Sequence, residues 1–278
     1  MGIGLVLALT SALAYGAGDF VGGTGSRRHS PWRLVVVGQL SGAVLMVACD
    51  VLMPATPRPS DFLWALLAGA GSGAGSMFLF RGLSRGRMGL VAPVSAVGAA
   101  AFPVLVGVAL GERPTAYAWL GVLVALPGIW LVSRQSTSPA AGARGVLVDG
   151  AAAGAGFGLL FVALGQLSST AGFLPLAVNQ LFGLAVTIGV AASLKQAWLP
   201  SPAAVGWGGA SGVLGATGTL AFLASTRFTD LGMAAVLASL YPAVTALLAS
   251  AVLGERLGNG QRLGIGVCTL AVAALAIG

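Results

Sequence analysis

Ten times in 278 residues the chain runs for about twenty residues with almost no charge. The segments lie at about 3–22, 32–53, 62–82, 88–110, 115–133, 145–166, 173–194, 203–225, 231–253 and 261–278. A hydrocarbon core about 30 Å thick is crossed by a helix of roughly 20 apolar residues. Charged residues make up 8% of the chain, against about 25% in soluble domains, too few to cover a water-facing surface. The reading is an all-α polytopic membrane protein of the inner or plasma membrane. The short polar links, such as "MPATPRPSD" and "WLPSPA", leave no room for an inserted soluble domain.

Net charge is +7, but the basic residues stand singly or in twos between apolar runs. There they answer to lipid headgroups and the positive-inside rule, so nucleic acid is not expected as a partner. Cys49 and Cys268 lie inside apolar segments without metal-ligand spacing and read as packing residues. "ALA" at 12–14 resembles a signal-peptidase site. However, no Lys or Arg precedes the first apolar run, so that run is expected to stay as the first span.

The tetrapeptide "LGER" stands at 110–113 and again at 253–256, a spacing of 143 residues, about half of the chain. "VVGQLSGAV" matches "AVNQLFGLA", pairing Gln39 with Gln180 and Gly42 with Gly183, and Tyr15-Gly16 pairs with Phe157-Gly158. Gly89 falls on Gly232, and Gly75-Ser76 on Gly218-Thr219. Matches in order at one period indicate a duplication, with repeats at 1–137 and 143–278. Five helices per repeat is an odd number, so the second copy must cross the bilayer upside down. The expectation is ten transmembrane helices in two inverted five-helix repeats, with a substrate site near the midplane between them. The links after odd-numbered spans hold eleven of the fourteen Lys and Arg residues, against Arg58, Arg113 and Arg227 on the others. The positive-inside rule then puts the odd links in the cytoplasm and both termini outside.

The LGER glycine reads as a helix C-cap and its Glu as a favourable charge at the start of the following helix; a gating salt bridge is the sharper alternative. Asp19 is either an interfacial residue ending the first helix or a proton or cation site within it. A carboxylate at the bilayer centre costs about 2.5–3.5 kcal/mol, so one found there usually faces a cavity. Asp50 and Asp149 read as interfacial. Gln39 and Gln180 need partners in otherwise apolar helices, either another helix or a substrate. "GAGSGAGSMFLF" at 69–80 lacks the GKS or GKT ending of a nucleotide loop and reads as close helix packing. Pro93, Pro103 and Pro242 fall inside the fourth and ninth spans, where proline kinks a helix. Arg81 either snorkels to the interface or reaches an anionic substrate. His29 is the only histidine, and no nucleophile–base set, metal cluster or cofactor motif can be assembled. An enzyme is not expected, nor any cofactor.

"ASLYPAVTALLASAVLGERLGNGQRLGIGVCTLAV" closely resembles the end of an EamA repeat, in the drug/metabolite transporter superfamily. "GRMGLVAPVSAVGAAAFPVLVGVALGERPTAYAWLGVLVALPG" resembles the first-repeat version, and "AYGAGDFVGG" the family's opening helix. The resemblance implies a secondary transporter of small metabolites such as amino acids, often an exporter, working by alternating access as a monomer or homodimer. A facilitative carrier or importer, and a receptor or scaffold, are the alternatives. Its cavity would be lined by the first, third, fourth, sixth, eighth and ninth helices, with Tyr15, Asp19, Gln39, Ser76, Ser95, Gln180, Thr219 and Tyr241 as candidates. The sequence departs from the pattern in having Tyr15 and Phe157 where Trp is common. Pro103 and Pro242 are also inequivalent, preceding their glutamates by nine and thirteen residues. The family habit of cytoplasmic termini runs against the charge count.

Overall fold

In the computed structural model the described residues are 2–26, 28–84, 88–133, 143–254 and 257–277; side chains at 80–93, 118, 133–144, 146 and 275–277 are not among them. The described residues form eleven helices. They are α1 (Gly2–Ser26), α2 (Pro31–Leu52), α3 (Pro59–Ser84), α4 (Met88–Ala109), α5 (Ala116–Ser133) and α6 (Ala143–Gly165). After these come α7 (Leu174–Ser193), α8 (Pro202–Ser225), α9 (Leu231–Ala238), α10 (Tyr241–Leu253) and α11 (Asn259–Ile277). Six spans are long and apolar enough to cross a bilayer, counting α9 and α10 together, and Val94–Ala109 and Trp119–Val132 are shorter apolar helices.

The ninth apolar segment is broken rather than merely kinked. Ser239 and Leu240 form a turn between α9 and α10, and Pro242 stands in the first turn of α10. Without an N–H, Pro242 cannot continue the ladder of α9, yet it suits the start of a new helix. Proline alone does not break a span here: Pro103 lies within α4 and Pro127 within α5, both continuous.

The main helix contacts join the two halves of the chain. α1 packs on α8, α9 and α10; α2 on α7 and α8; α3 on α6 and α7; α4 on α6 and α9; and α5 on α11. Exchanging each first-half helix for its partner one repeat later returns the same set of pairs. The crossings are close because glycine faces backbone. In the 69–80 stretch, Gly69 and Gly73 press on α7 at Gly183 and Val186, whereas Gly71 and Gly75 press on α6 at Gly156 and Phe157. That stretch is a two-sided packing seam, as its small residues suggested. Apolar side chains fill the rest. One cluster joins α1, α4, α5, α9 and α11 through Ala8, Ala100, Ile129, Val236 and Cys268. A second, including Leu164, Leu176, Phe222 and Ala235, centres on α6 to α9.

Carboxylates tie one end of the bundle together. Asp61 Oδ1 accepts from Ser168 N at 2.8 Å and its Oδ2 from Ser168 Oγ at 2.7 Å, while Arg227 Nη2 donates to Ser168 O at 2.7 Å. Asp50 Oδ1 accepts from Leu174 N at 3.1 Å, capping α7. Glu112 takes Leu231 N on Oε1 at 2.8 Å and Gly232 N on Oε2 at 3.3 Å, capping α9. These bonds gather the links 53–58, 110–115, 166–173 and 226–230 at one end, the capped end. The opposite end carries residues 28–30, 194–201, 254 and 257–258, where Ser30 Oγ donates to Ala197 O at 2.8 Å.

The LGER glycines behave as expected: Gly111 (φ +100°) and Gly254 (φ +67°) take positive φ just past α4 and α10. The glutamate does not. Glu112 serves the start of α9, 119 residues away, rather than the start of α5, and among the described residues its partners are backbone N–H groups rather than a cation. Glu255 and Arg256 lie outside the described residues. Because Glu112 meets Leu231 and Gly254 follows Leu253, the two corners stand at opposite ends of the span 231–253. Asp50 is near the end of α2, and Asp149, in the second turn of α6, is fully buried against the bundle.

Candidate functional site

The site begins with one face of α1. Asp19 lies eleven residues beyond Ala8 and seven beyond Ala12, about three and two helical turns, so all three share a face. Ala8 and Ala12 are 0% and 2% exposed, while Ile3, Val6 and Leu13, on the opposite face, are exposed to the surroundings. Asp19 points inward with the two alanines, yet it is exposed, as is Gly23 one turn further on. Exposure on an inward face requires a hollow. On this face α1 is covered at Ala8 and Ala12 and uncovered at Asp19 and Gly23, while Gly16, Gly18 and Gly25 keep the rest of its second half packed on α8 and α10.

The broken span makes the same statement. All eight residues of α9 are buried, whereas α10 has no buried residue. Both belong to one apolar segment of similar composition, so the contrast reflects position. α9 lies toward the capped end, and α10 continues toward the other end, packed on α1.

Tyr15, one turn before Asp19, marks the boundary. Its hydroxyl is 2.9 Å from Thr219 Oγ1 on α8. Thr219 Oγ1 in turn donates to Gly215 O at 3.1 Å, so Tyr15 is the donor of the shared bond. The ring lies on Gly218, where a Cβ would come within 2.8 Å of it, and meets Phe161 edge-on at 6.2 Å; Phe161 in turn packs on Phe222 at 4.7 Å. Tyr241 opens α10 next to the break. Its carbonyl lies against Gly16, the residue after Tyr15 and three before Asp19. Thr245 Oγ1 locks the arrangement by donating to Gly16 O at 3.0 Å and Tyr241 O at 3.1 Å. Gly16 is required there, because a Cβ would meet Tyr241 O at 2.7 Å.

Four of the sequence candidates therefore come together: Tyr15, Asp19, Thr219 and Tyr241. Gln39 and Gln180 do not join them. They sit at the α2–α7 crossing, where the Gln180 amide packs over Gly42 and the Gln39 amide over Gly183. Each glutamine lies on the glycine that follows its counterpart by three residues, a reciprocal contact that fixes helix packing. Ser95 is 2% exposed and its hydroxyl has no partner among the described residues; it is packed into α4 rather than facing the hollow. Ser76 is half-buried on α3, beside the Gly75 that seats the Phe157 ring. The Arg81 side chain lies outside the described residues. Phe161, Phe222 and Thr245 were missed by sequence reading. Thr245 had a signal, since it stands one turn after Tyr241 on the same helix.

A family model describing the EamA-like transporter family matches the chain twice, over residues 2–134 and 145–277. The chain belongs to the EamA-like transporter family. Two successive matches to one model also agree with the duplication read from the 143-residue period. An EamA-like protein is a multi-pass membrane protein of a transporter family, which agrees with the absence of any catalytic set in the sequence reading. No curated protein matches the chain. Among solved structures, a protein crystal structure 18% identical to this EamA-like chain superimposes with a TM-score of 0.75. The match covers 99% of this chain and 96% of that one. At that identity the match establishes a shared fold and nothing further.

Proposed function

We propose that the protein is a secondary carrier that moves a small polar or amphipathic metabolite across the cell membrane, as an exporter, by alternating access. Ten crossings in two five-helix repeats of opposite orientation, 1–137 and 143–278, would enclose the site. The observation that carries this reading is the hollow, closed at the capped end and open at the other. A discontinuous helix beside the hollow adds support, since carriers built from inverted repeats place their sites at such breaks. The charge count supports a cytoplasmic position for the open end. On this reading the carrier rests open to the cytoplasm, able to load the solute it expels.

Counterflow in proteoliposomes tests the proposal. Unlabelled solute trapped inside should drive transient accumulation of the same labelled solute, for at least one member of a metabolite panel. A panel in which no solute exceeds protein-free vesicles would overturn carriage. Accumulation unaltered by an imposed pH gradient would assign the protein to facilitated exchange. That second reading is favoured by the hollow holding one carboxylate, Asp19, among the described residues.

A further inference from the structure

We infer that the capped end binds one anionic phospholipid, with its phosphate on the guanidinium of Arg227 and an acyl chain in the apolar groove that descends from it along α8. The inference needs a membrane protein and does not rest on the carrier reading.

The groove is a cavity of about 350 Å³ between the end of α8 and the link before α7, with Ser169, Phe173, Leu220, Leu223, Ala224 and Arg227 in its lining. Thr226 and Arg227 continue the last turn of α8, their N–H groups donating to Phe222 O at 3.1 Å and Ala224 O at 3.2 Å. Leu220, Leu223, Ala224 and Arg227 recur at intervals of three and four residues or fewer, so they form one stripe of that helix. At about 1.5 Å per residue, Leu223 lies about 6 Å and Leu220 about 10 Å deeper along the axis than Arg227. The stripe therefore runs from a charge at the membrane surface into the hydrocarbon. Its mouth is polar, with the exposed Ser169 beside Arg227, and its depth is apolar. Val213 and Thr217, on the adjoining stripe of α8, are exposed, so the groove borders the side of the helix that meets lipid.

The guanidinium is fixed at that mouth. Arg227 Nη2 donates to Ser168 O, and Asp61 holds Ser168 through its N and Oγ. Asp61 is 1% exposed, so the negative charge is buried in those bonds while Arg227 stands exposed. A guanidinium carries five N–H donors in a planar fork, matched to two oxygens of a phosphate. The bond to Ser168 O engages one nitrogen and orients the rest. By the charge count, attraction to a cytoplasmic leaflet does not account for this arginine, one of three Lys and Arg residues on the even-numbered links.

A free anion would need no apolar stripe below the charge, and a bare acyl chain would need no charge above it. A zwitterionic headgroup would bring a second positive group to the guanidinium. A phospholipid with a phosphate and no ammonium answers both parts of the groove.

Native mass spectrometry of the delipidated full chain tests this, with the protein released from mixed micelles holding equal amounts of phosphatidylglycerol and phosphatidylcholine. One phosphatidylglycerol per chain should be retained, about tenfold in preference to phosphatidylcholine. Arg227→Gln, which keeps a donor for Ser168 O, should abolish the preference. Ala224→Phe, which fills the groove and keeps the charge, should do the same. Arg113→Gln removes another exposed arginine of the capped end and should leave the preference intact. Glycerol phosphate at millimolar concentration should displace no bound phosphatidylglycerol. The inference is overturned if the unaltered chain retains both lipids equally, or if the preference survives in Arg227→Gln or Ala224→Phe. Equal loss in Arg113→Gln would also overturn it, as a general surface charge, and displacement by glycerol phosphate would do so as a plain anion site. Melting temperatures in lipid-free detergent show which variants are folded; should Arg227→Gln fail there, Ala224→Phe decides alone. Counterflow plays no part in these measurements, so their failure leaves the carrier reading standing.

Discussion

Replacing Glu112 with alanine should loosen the capped end and let reagents reach the hollow from that side. The carboxylate holds the first two N–H groups of α9 and sits at the positive end of that helix. Losing charge-assisted bonds to partly buried donors costs about 2–3 kcal/mol. If that energy favours the closed form, its loss shifts the balance between closed and open by roughly 30-fold or more. A cysteine at Ala12, on the inward face of α1, reports the change in a background lacking Cys49 and Cys268. Its reaction with a small impermeant thiosulfonate added from the capped side should speed up at least about tenfold in Glu112→Ala. Glu112→Gln, which keeps one acceptor oxygen, should fall between. Equal rates in all three proteins would show that the contact is a static corner with no part in closure.

The second large effect is steric. A Cβ on Gly212 of α8 would sit 2.5 Å from Gly38 Cα on α2 and closer still to the Gly38 carbonyl oxygen. Backbone cannot turn aside as a side chain can, so the helices must part. Overpacking of this kind costs about 1–3 kcal/mol. The reverse change is milder, since a Cβ on Gly38 would lie 3.3 Å from Gly208 O and 3.5 Å from Gly212 Cα. Gly212→Ala should therefore lower the melting temperature in detergent clearly more than Gly38→Ala does. Equal losses, or a greater loss at Gly38, would contradict this close α2–α8 crossing.

Much of the architecture could be read from residues because the bilayer imposes it. Helix length follows from hydrocarbon thickness, so the apolar runs located the helices to within a few residues. Close packing of 69–80 followed from its small side chains. The break in the ninth span was only half visible. Pro242 marked it, but Pro103 and Pro127 sit in helices that stay whole, and a sequence offers no rule separating the cases. Glu112 was placed correctly as a capping charge and assigned to the wrong helix, because its partner lies 119 residues away in the chain. Gln39 and Gln180 show a further limit. Their equivalence was legible, but equivalence did not say that each packs on the other's glycine. Asp19 was legible as an anomaly, and the spacing from Ala8 and Ala12 places it on an inward face. That the bundle is open there is a property of eleven packed helices and of no local stretch.

The central claim is that one half of the protein lies upside down against the other, so the two LGER corners must face opposite sides of the membrane. Single cysteines at Arg113 and Asn259, in a background without Cys49 and Cys268, put that to the test with a membrane-impermeant maleimide applied to intact cells and to inverted vesicles. The prediction is that Arg113→Cys labels only from outside and Asn259→Cys only from the cytoplasmic face. Labelling of both from the same side would contradict the inverted arrangement and the hollow built upon it.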